Sequence, residues 1–271
     1  MKFGVVYDSS YNHVSFLYLS QAIPEDRRFH LDLNVLKPNF DIERLLQSAG
    51  DHEGARPEAI LHGDNAPGLP HGLHRVSIPT ARLDFDSFGW TSFRLKWAML
   101  FDYVFTWHLS YVRLFREAGH PRVFALPHAV DARFFTGADF NSERLYDLGF
   151  VGRSGLTQYV ARDRVNVRLT KRFRTNDLER SYTKEETFEI YKRSRIVVNV
   201  SRGEFPQEAN MRCYEAMAGG ALLITGMPSE LTEWGFREGE HFIGWRSEDE
   251  IPDLVDRFLR QTEQRLAIAR A

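Results

Sequence analysis

A short run in the carboxyl half of the chain combines residue types that bind phosphorylated ligands. Asn210, Arg212 and Glu215 are followed by the glycine pair Gly219 and Gly220. Asparagine is a favoured helix N-cap and glycine a common helix end, so the run predicts a short helix from near Asn210 to the glycine pair. The first N–H groups of a helix have no partner within the helix, and they attract anions.

Two side chains of this helix extend the predicted anion site. Arg212 lies in the first turn, where its guanidinium group can bind the same anion. Glu215 lies one turn further along nearly the same face, where a carboxylate can accept hydrogen bonds from two neighbouring sugar hydroxyls. A phosphate beside a diol describes a nucleotide. The alternative interpretation is an ordinary helix, with Glu215 in solvent and the glycines as a C-cap only.

The flanking sequence indicates how such a helix is positioned. A β-branched run at 196–200 precedes it and an apolar run at 221–225 follows it, and both patterns are typical of buried parallel strands. Towards the amino terminus, apolar runs predict strands that alternate with helical patterns. The predicted strands cover 3–8, 31–37, 58–64, 75–85, 102–108 and 122–130, with helices up to 23 and at 41–48, 91–101 and 110–118. This alternation predicts a doubly wound parallel sheet that binds ligands at the carboxyl ends of its strands.

The carboxyl half repeats the pattern. Strands are predicted at 146–152 and 241–245, and helices at 159–174, at 229–234 and from Ser247 onwards. Thr183 and Glu186 form a T-x-x-E capping box that starts a further helix. The polar stretch 131–144 indicates a linker, so we expect two domains, residues 1–135 and 136–271.

Residues 210–220, together with F-V-G-R at 150–153, resemble the nucleotide-sugar site of GT-B glycosyltransferases of the group 1, family 4-like type. They are most like the CgeB-like (spore-maturation-type) branch, which carries N-x-R-x-[FY]-E-A-x-A-x-G. The resemblance implies two Rossmann-like domains of doubly wound parallel sheet that face a cleft. It implies that the first domain binds the acceptor and the second binds a nucleoside-diphosphate sugar, most often a UDP sugar.

The resemblance also implies roles for individual residues. The glutamate matching Glu215 holds the nucleotide ribose, and an arginine matching Arg153 reaches a phosphate. Gln207 stands where the broader family has a glutamate, with Glu208 beside it, which leaves recognition of the sugar open. The expected nucleotide-sugar-binding residues are Arg153, Gln207, Glu208, Asn210, Met211, Arg212 and Glu215.

The expected chemistry needs neither a metal nor a cofactor beyond the nucleotide sugar, because a helix dipole and arginines can stabilise a departing diphosphate. Family 4-like enzymes are generally retaining, with the leaving phosphate helping to deprotonate the acceptor. An inverting enzyme would need a base from the first domain. The main candidates that follow predicted strands are Asp8, His13 and His108, and His62 and Asp64 are further candidates.

Composition limits the other classes of function. A formal net charge of -2 over 271 residues argues against a general nucleic-acid binder. Cys213 is the only cysteine, which excludes an internal disulfide and suits the cytoplasm. No apolar run is long enough to cross a bilayer.

A stripe of Arg164, Arg168 and Arg172 predicts a solvated helix face, with contact to an anionic acceptor or a membrane surface as the alternative. The acceptor, whether glycan, lipid-linked, protein or small molecule, stays open.

The sequence leaves three other interpretations open. Asp84 and Asp86 form a D-x-D pair, with which GT-A glycosyltransferases hold a divalent metal. A sugar-nucleotide epimerase of GT-B fold and a catalytically inactive nucleotide-sugar-binding module would share the nucleotide site. P-loop, dinucleotide and G-x-S-x-G patterns are absent from the sequence.

Overall fold

The computed structural model divides the chain into two compact units, Met1–Pro127 and His128–Ala271. The described residues are 1–7, 23–32, 41–44, 46–47, 56–63, 71–84, 91–130, 140, 143–153, 155, 159–201 and 207–271. The expected boundary after residue 135 falls in a stretch, 131–139, that lies outside these ranges. The two units divide a few residues earlier, after Pro127.

The first unit contains a six-stranded sheet in the order β2-β1-β3-β4-β5-β6, in which every neighbouring pair is parallel. Parallel neighbours require crossover connections, as the strand and helix alternation predicts. The strands are β1 (Phe3–Tyr7), β2 (Arg28–Asp32), β3 (Ala59–His62), β4 (Thr80–Asp84), β5 (Tyr103–Thr106) and β6 (Val123–Ala125). The helices described in full are α1 (Thr91–Ala98) and α2 (Leu109–Glu117).

The second unit contains a four-stranded parallel sheet in the order β10-β9-β8-β7. The strands are β7 (Tyr146–Gly149), β8 (Ser194–Asn199), β9 (Leu222–Gly226) and β10 (Ile243–Trp245). The helices are α3 (Val160–Thr170), α4 (Lys184–Lys192), α5 (Met211–Ala218), α6 (Ile251–Arg260) and α7 (Thr262–Arg270). The capping box at the start of α4 is confirmed, since the side chains of Thr183 and Glu186 each accept the other's backbone N–H.

The apolar run along β8 is explained by burial of both faces of this sheet. Ile196 and Val198 pack into a cluster with Phe258 of α6. Val197 points the other way and joins a cluster with Cys213 of α5. Burial raises the pKa of the Cys213 thiol to about 12, so this cysteine behaves as a small apolar core residue. Alternate residues thus serve two cores, which fixes β8 and the helix that follows it.

Two elements differ from the sequence prediction. The second strand runs over Arg28–Asp32 and overlaps the predicted 31–37 only at its end. The predicted terminal helix is two helices, α6 and α7, because Gln261 has a non-helical backbone. Arg265 stabilises this break by donating to the carbonyl of Phe258 at 2.7 Å. Ser247 accepts the N–H of Asp249 in a short 3₁₀ turn, so the α-helix predicted from Ser247 onwards begins only at Ile251.

Across the described ranges, no helix combines the length and the apolar character needed to cross a bilayer.

Candidate functional site

The helix predicted from near Asn210 to the glycine pair is α5, and its bounds are confirmed. Asn210 is the N-cap, and its side-chain oxygen accepts the backbone N–H of Arg212 at 3.1 Å. The helix ends at Gly219, and Gly220 adopts the left-handed conformation with φ of 71°. The N–H of Ala221 then donates to a carbonyl of the last turn at 3.0 Å, which completes a Schellman motif.

Asn199, at the carboxyl end of β8, anchors the start of this helix. Its side chain is fully buried. The Oδ1 atom accepts from Asn210 Nδ2 at 3.0 Å and from Arg212 Nη1 at 2.8 Å. The Nδ2 atom donates to Thr225 Oγ1 at 3.1 Å and to Ser201 Oγ at 3.2 Å. This network places the amino end of α5 at the carboxyl edge of the parallel sheet, where ligands of such folds bind.

Glu215 is a buried carboxylate that accepts no hydrogen bond from the described residues. Its side chain is 8% exposed, and no residue in the described part of the chain donates a hydrogen bond to it. Burial raises the pKa of Glu215 to about 7, against the opposing charges of Arg212 and Lys184. Buried polar groups in proteins normally have hydrogen-bond partners. A pair of ligand hydroxyls would supply the donors that this carboxylate lacks.

The Arg212 guanidinium group faces the protein rather than solvent. The residue is 7% exposed, and Nε and Nη2 both donate to the carbonyl of Val151, at 3.2 and 3.0 Å. Its central carbon lies 4.4 Å from the ring centroid of Phe150. Together with the bond to Asn199, these contacts occupy each of its three nitrogens. Direct binding of the diphosphate by Arg212 stays a prediction, and the contacts seen here are structural.

The F-V-G-R residues form a turn after β7, which we call the β7 turn (residues 150–153). The side chain of Arg153 is exposed. The backbone carbonyl of Arg153 accepts a hydrogen bond from Arg162 Nη1 at 3.1 Å. A Cβ atom at Gly152 would lie 2.3 Å from Arg212 Nη2, so a larger residue here would have to displace the Arg212 guanidinium group. The backbone of Phe150 is held at both its N–H and its carbonyl by the buried Asn176 side chain, at 2.9 and 2.8 Å.

The remaining predicted binding residues also cluster at the start of α5. The carbonyl of Gln207 accepts from the Glu230 N–H at 2.8 Å, and the carbonyl of Glu208 accepts from Ser201 Oγ at 2.9 Å. Gln207, Glu208 and Met211 are half-buried. The structure therefore brings the predicted set together at one edge of the second sheet, and their contacts with a ligand stay predictions.

The structure describes only two of the five proposed catalytic bases. Asp8, His13 and Asp64 lie outside the described residues. His108 is 5% exposed and is the N-cap of α2, where its carbonyl accepts the Tyr111 N–H at 3.0 Å. His62 is fully buried, with Nδ1 3.1 Å from Arg82 Nη1. Both described histidines present little surface to an acceptor.

The D-x-D interpretation finds no support in the arrangement around Asp84. The Asp84 carboxylate is fully buried and pairs with Arg82 Nε at 3.2 Å and Arg94 Nη1 at 3.4 Å. Two guanidinium groups thus occupy oxygens that a metal would need. Asp86 lies outside the described residues. Among the residues described, no three His, Cys, Asp or Glu side chains group closely enough to hold a metal ion.

The basic stripe on α3 is a ladder of ion pairs at the surface. Arg164 contacts its carboxylate partner at 2.9 Å and Arg168 contacts its own at 2.9 Å, while Arg172 has two partners. The acidic partners, in the same order, are Glu248, Asp249, and the pair Asp253 and Asp256. The solvated-face interpretation is therefore the one that the contacts support.

Sequence reasoning missed two residues beside the site, Arg162 and Tyr191. Arg162 is 5% exposed and Tyr191 is fully buried. A signal was present for Arg162, which is three and seven residues before Val165 and Leu169 and so lies on the apolar face of α3. Nothing in the sequence distinguishes Tyr191 from an ordinary core tyrosine.

Comparison with known proteins shows what the chain resembles. Residues 150–271 match the model of a family described as glycosyl transferase-like. No curated protein matches the sequence. Crystal structures of Anabaena Alr3699/HepE in complex with UDP and with UDP-glucose both align at a TM-score of 0.67 and 13% identity. Those alignments cover 99% of this chain and 93% and 92% of the two HepE chains.

Two further solved structures are similar over nearly the whole chain. A glycosyltransferase from Rickettsia africae aligns at a TM-score of 0.61 and 8% identity, covering 99% of this chain and 92% of that one. A putative UDP-N-acetylglucosamine 2-epimerase from Listeria monocytogenes aligns at 0.52 and 11% identity, covering 100% and 91%. With two parallel Rossmann-like sheets, these likenesses confirm the predicted GT-B fold class.

Proposed function

We propose that the protein is a glycosyltransferase that moves a sugar from a nucleoside diphosphate, most simply UDP, to an acceptor. The observation that carries the proposal is Glu215, a buried carboxylate that accepts no hydrogen bond from the described residues and lies one turn into α5. The amino end of a helix favours anions. The N-x-R-x-Y-E-A-x-A-x-G run supports a place in the CgeB-like branch.

In the proposed complex, two chemical groups of the nucleotide meet two features of the site. The ribose hydroxyls donate to the Glu215 carboxylate, which relieves its missing hydrogen bonds. The diphosphate lies at the amino end of α5, near the exposed Arg153 side chain. The separation of one helical turn, about 5.4 Å, suits a ribose and the phosphate attached to it.

The proposed chemistry places the charge of the leaving group where the site can stabilise it. Negative charge develops on the diphosphate as the glycosidic bond breaks, and the helix start and Arg153 stabilise that charge without a metal. We propose retention of configuration, with the departing phosphate accepting the proton of the acceptor hydroxyl. Under inversion, Asp8, His13 or His108 of the first unit would serve as base. A cytoplasmic location is part of the proposal, on the evidence of the single cysteine.

The binding half of the proposal is tested by calorimetric titration with UDP-glucose. We expect the wild type to bind and Glu215→Gln to bind at least tenfold more weakly, since the neutral amide accepts hydrogen bonds less well than a carboxylate. Glu263→Gln, at an exposed position on α7, is the matched control and is expected to leave the affinity unchanged. Equal affinities for wild type and Glu215→Gln would show that this carboxylate does not hold the ribose.

The catalytic half needs a separate assay because the acceptor is open. UDP release from UDP-glucose is measured with panels of glycan, lipid-linked, peptide and small-molecule acceptors. We expect release that depends on one class of acceptor. Binding without UDP release in any panel would support a catalytically inactive module instead.

A second candidate is a sugar-nucleotide epimerase, which the likeness to the Listeria structure favours. An epimerase changes the sugar nucleotide with no acceptor present. Incubation with UDP-N-acetylglucosamine alone, followed by chromatography of the nucleotides, separates the two functions. A new UDP-sugar peak would support the epimerase and contradict the transferase.

A further inference from the structure

Two buried arginines approach the β7 turn from different helices. Arg162 belongs to α3 and is 5% exposed, while Arg212 belongs to α5 and is 7% exposed. A guanidinium group stays charged in proteins, so burial requires acceptors around it. We refer to Arg162 and Arg212 as the buried arginine pair.

Each member of the pair connects the β7 turn to the end of β8. Arg212 donates to the Val151 carbonyl on one side, at 3.0 and 3.2 Å, and to Asn199 Oδ1 on the other, at 2.8 Å. Arg162 donates to the Arg153 carbonyl at 3.1 Å and to the Val200 carbonyl at 2.9 Å. The turn is therefore fixed at two of its carbonyls to Asn199, the last residue of β8, and to Val200, which follows it.

The Phe150 ring and Tyr191 complete the arrangement. The Phe150 ring centroid lies 4.4 Å from the central guanidinium carbon of Arg212 and 6.0 Å from that of Arg162. The Tyr191 hydroxyl, from a residue with no exposed surface, donates to the Val151 carbonyl at 3.3 Å. Val151 thus receives hydrogen bonds from two side chains, neither of which presents substantial surface to a ligand.

We propose that Arg162 and Arg212 are positioning residues, which hold the β7 turn against the end of β8 so that Arg153 meets the diphosphate at a fixed distance from Glu215. They act through the Val151 and Arg153 carbonyls and do not touch the donor. This assignment rests on the proposed function and replaces the expectation that Arg212 itself binds the diphosphate. Arg153 is then the arginine of the turn that contacts phosphate.

A double-mutant cycle with Tyr191→Phe and Arg212→Lys tests the proposal by UDP-glucose affinity. Tyr191→Phe removes one donor to Val151, and we expect binding about threefold weaker. Arg212→Lys keeps the charge but cannot donate to Val151 and Asn199 together, and we expect binding about tenfold weaker. Because both side chains act on the same carbonyl, the double variant is expected to be clearly less impaired than the product of the two effects, about thirtyfold.

Arg162→Lys and Arg168→Lys form a matched pair on the same helix. Arg162 joins two backbone carbonyls, so its lysine variant is expected to bind UDP-glucose about tenfold more weakly. Arg168 makes a surface ion pair with Asp249, and its lysine variant is expected to match the wild type.

Hydrogen–deuterium exchange of the peptide that contains the β7 turn gives a readout without nucleotide. We expect faster exchange there in Tyr191→Phe, Arg162→Lys and Arg212→Lys, with unchanged exchange in the β9 peptide, which shows that the fold is kept. If the wild type binds no UDP-glucose but exchange in the turn still rises, the proposed function fails while the positioning of the turn stands.

Three results would overturn the positioning role. The first is exchange in the turn that is unchanged in all three variants. The second is additive losses in the cycle, which indicate that Arg212 acts on the ligand independently of Val151. The third is wild-type affinity in both Arg162→Lys and Arg212→Lys, which shows that the contacts of the buried arginine pair are not needed for binding.

Discussion

Replacing Glu215 with glutamine should stabilise the unliganded protein at alkaline pH. The carboxylate is 8% exposed, and burial raises its pKa from the ordinary 4.5 to about 7. Arg212 and Lys184 favour the charged form, but desolvation is the larger effect. At alkaline pH the wild type therefore keeps a buried negative charge, whereas the glutamine variant keeps a neutral side chain of the same shape.

The size and the sign of the effect follow from the two pKa values. At about 1.4 kcal/mol for each pH unit, a rise from 4.5 to about 7 lowers the stability of the folded state by about 3 kcal/mol once the group is ionised. Between these two pH values the folded state binds more protons than the unfolded state, so the free energy of unfolding falls as pH rises. Below pH 4.5 the group is protonated in both states, and this contribution is absent.

The assay is urea unfolding of the wild type, Glu215→Gln and the exposed control Glu263→Gln between pH 4.5 and 8. We expect Glu215→Gln to exceed the wild type by up to about 3 kcal/mol at pH 8, with the difference shrinking towards pH 4.5. Glu263→Gln is expected to follow the wild type throughout. A Glu215→Gln variant that is no more stable at pH 8, or a difference independent of pH, would refute the reasoning.

Three further outcomes follow from the same geometry. UDP-glucose affinity, measured by calorimetry, is expected to rise about tenfold from pH 6 to pH 8. The reason is that the ionised fraction of Glu215 rises from about one tenth to about nine tenths over this range. An affinity that does not change with pH would contradict this. Gly220→Ala is expected to lower the free energy of unfolding by about 1 kcal/mol, because φ of 71° strains a residue with a Cβ atom, and equal urea midpoints would show otherwise. Arg168→Ala is expected to change the free energy of unfolding by less than about 0.5 kcal/mol, since its partner Asp249 is largely exposed. A larger loss would mean that the ion pairs of α3 stabilise the fold.

The bounds of α5 could be predicted because local chemistry determines them. Asn210 accepts a backbone N–H of the first turn, and Gly220 adopts a backbone conformation that other residues avoid. The β8 strand was equally predictable, since a continuous β-branched run fits a strand buried on both faces. The break at Gln261 was not, because the helical pattern continues through it and the contact that stabilises it comes from Arg265, on the next helix.

The direction of long side chains could not be predicted from the sequence. Arg212 has the type and the position of an anion ligand, but Val151 and Asn199 lie within its reach and take up its guanidinium nitrogens. The burial of Glu215 depends likewise on how α4 packs beside α5, which no spacing along one helix reveals. The sequence indicated which residues gather at the site, and tertiary packing decides which of them find a partner among the described residues.

A crystal structure of the protein with UDP-glucose tests the central claim most directly. We expect both ribose hydroxyls to lie about 2.5–3.0 Å from the Glu215 carboxylate oxygens, with the diphosphate at the amino end of α5. A nucleotide bound at another edge of the sheet, or a Glu215 carboxylate that makes no contact with the ribose, would contradict the account.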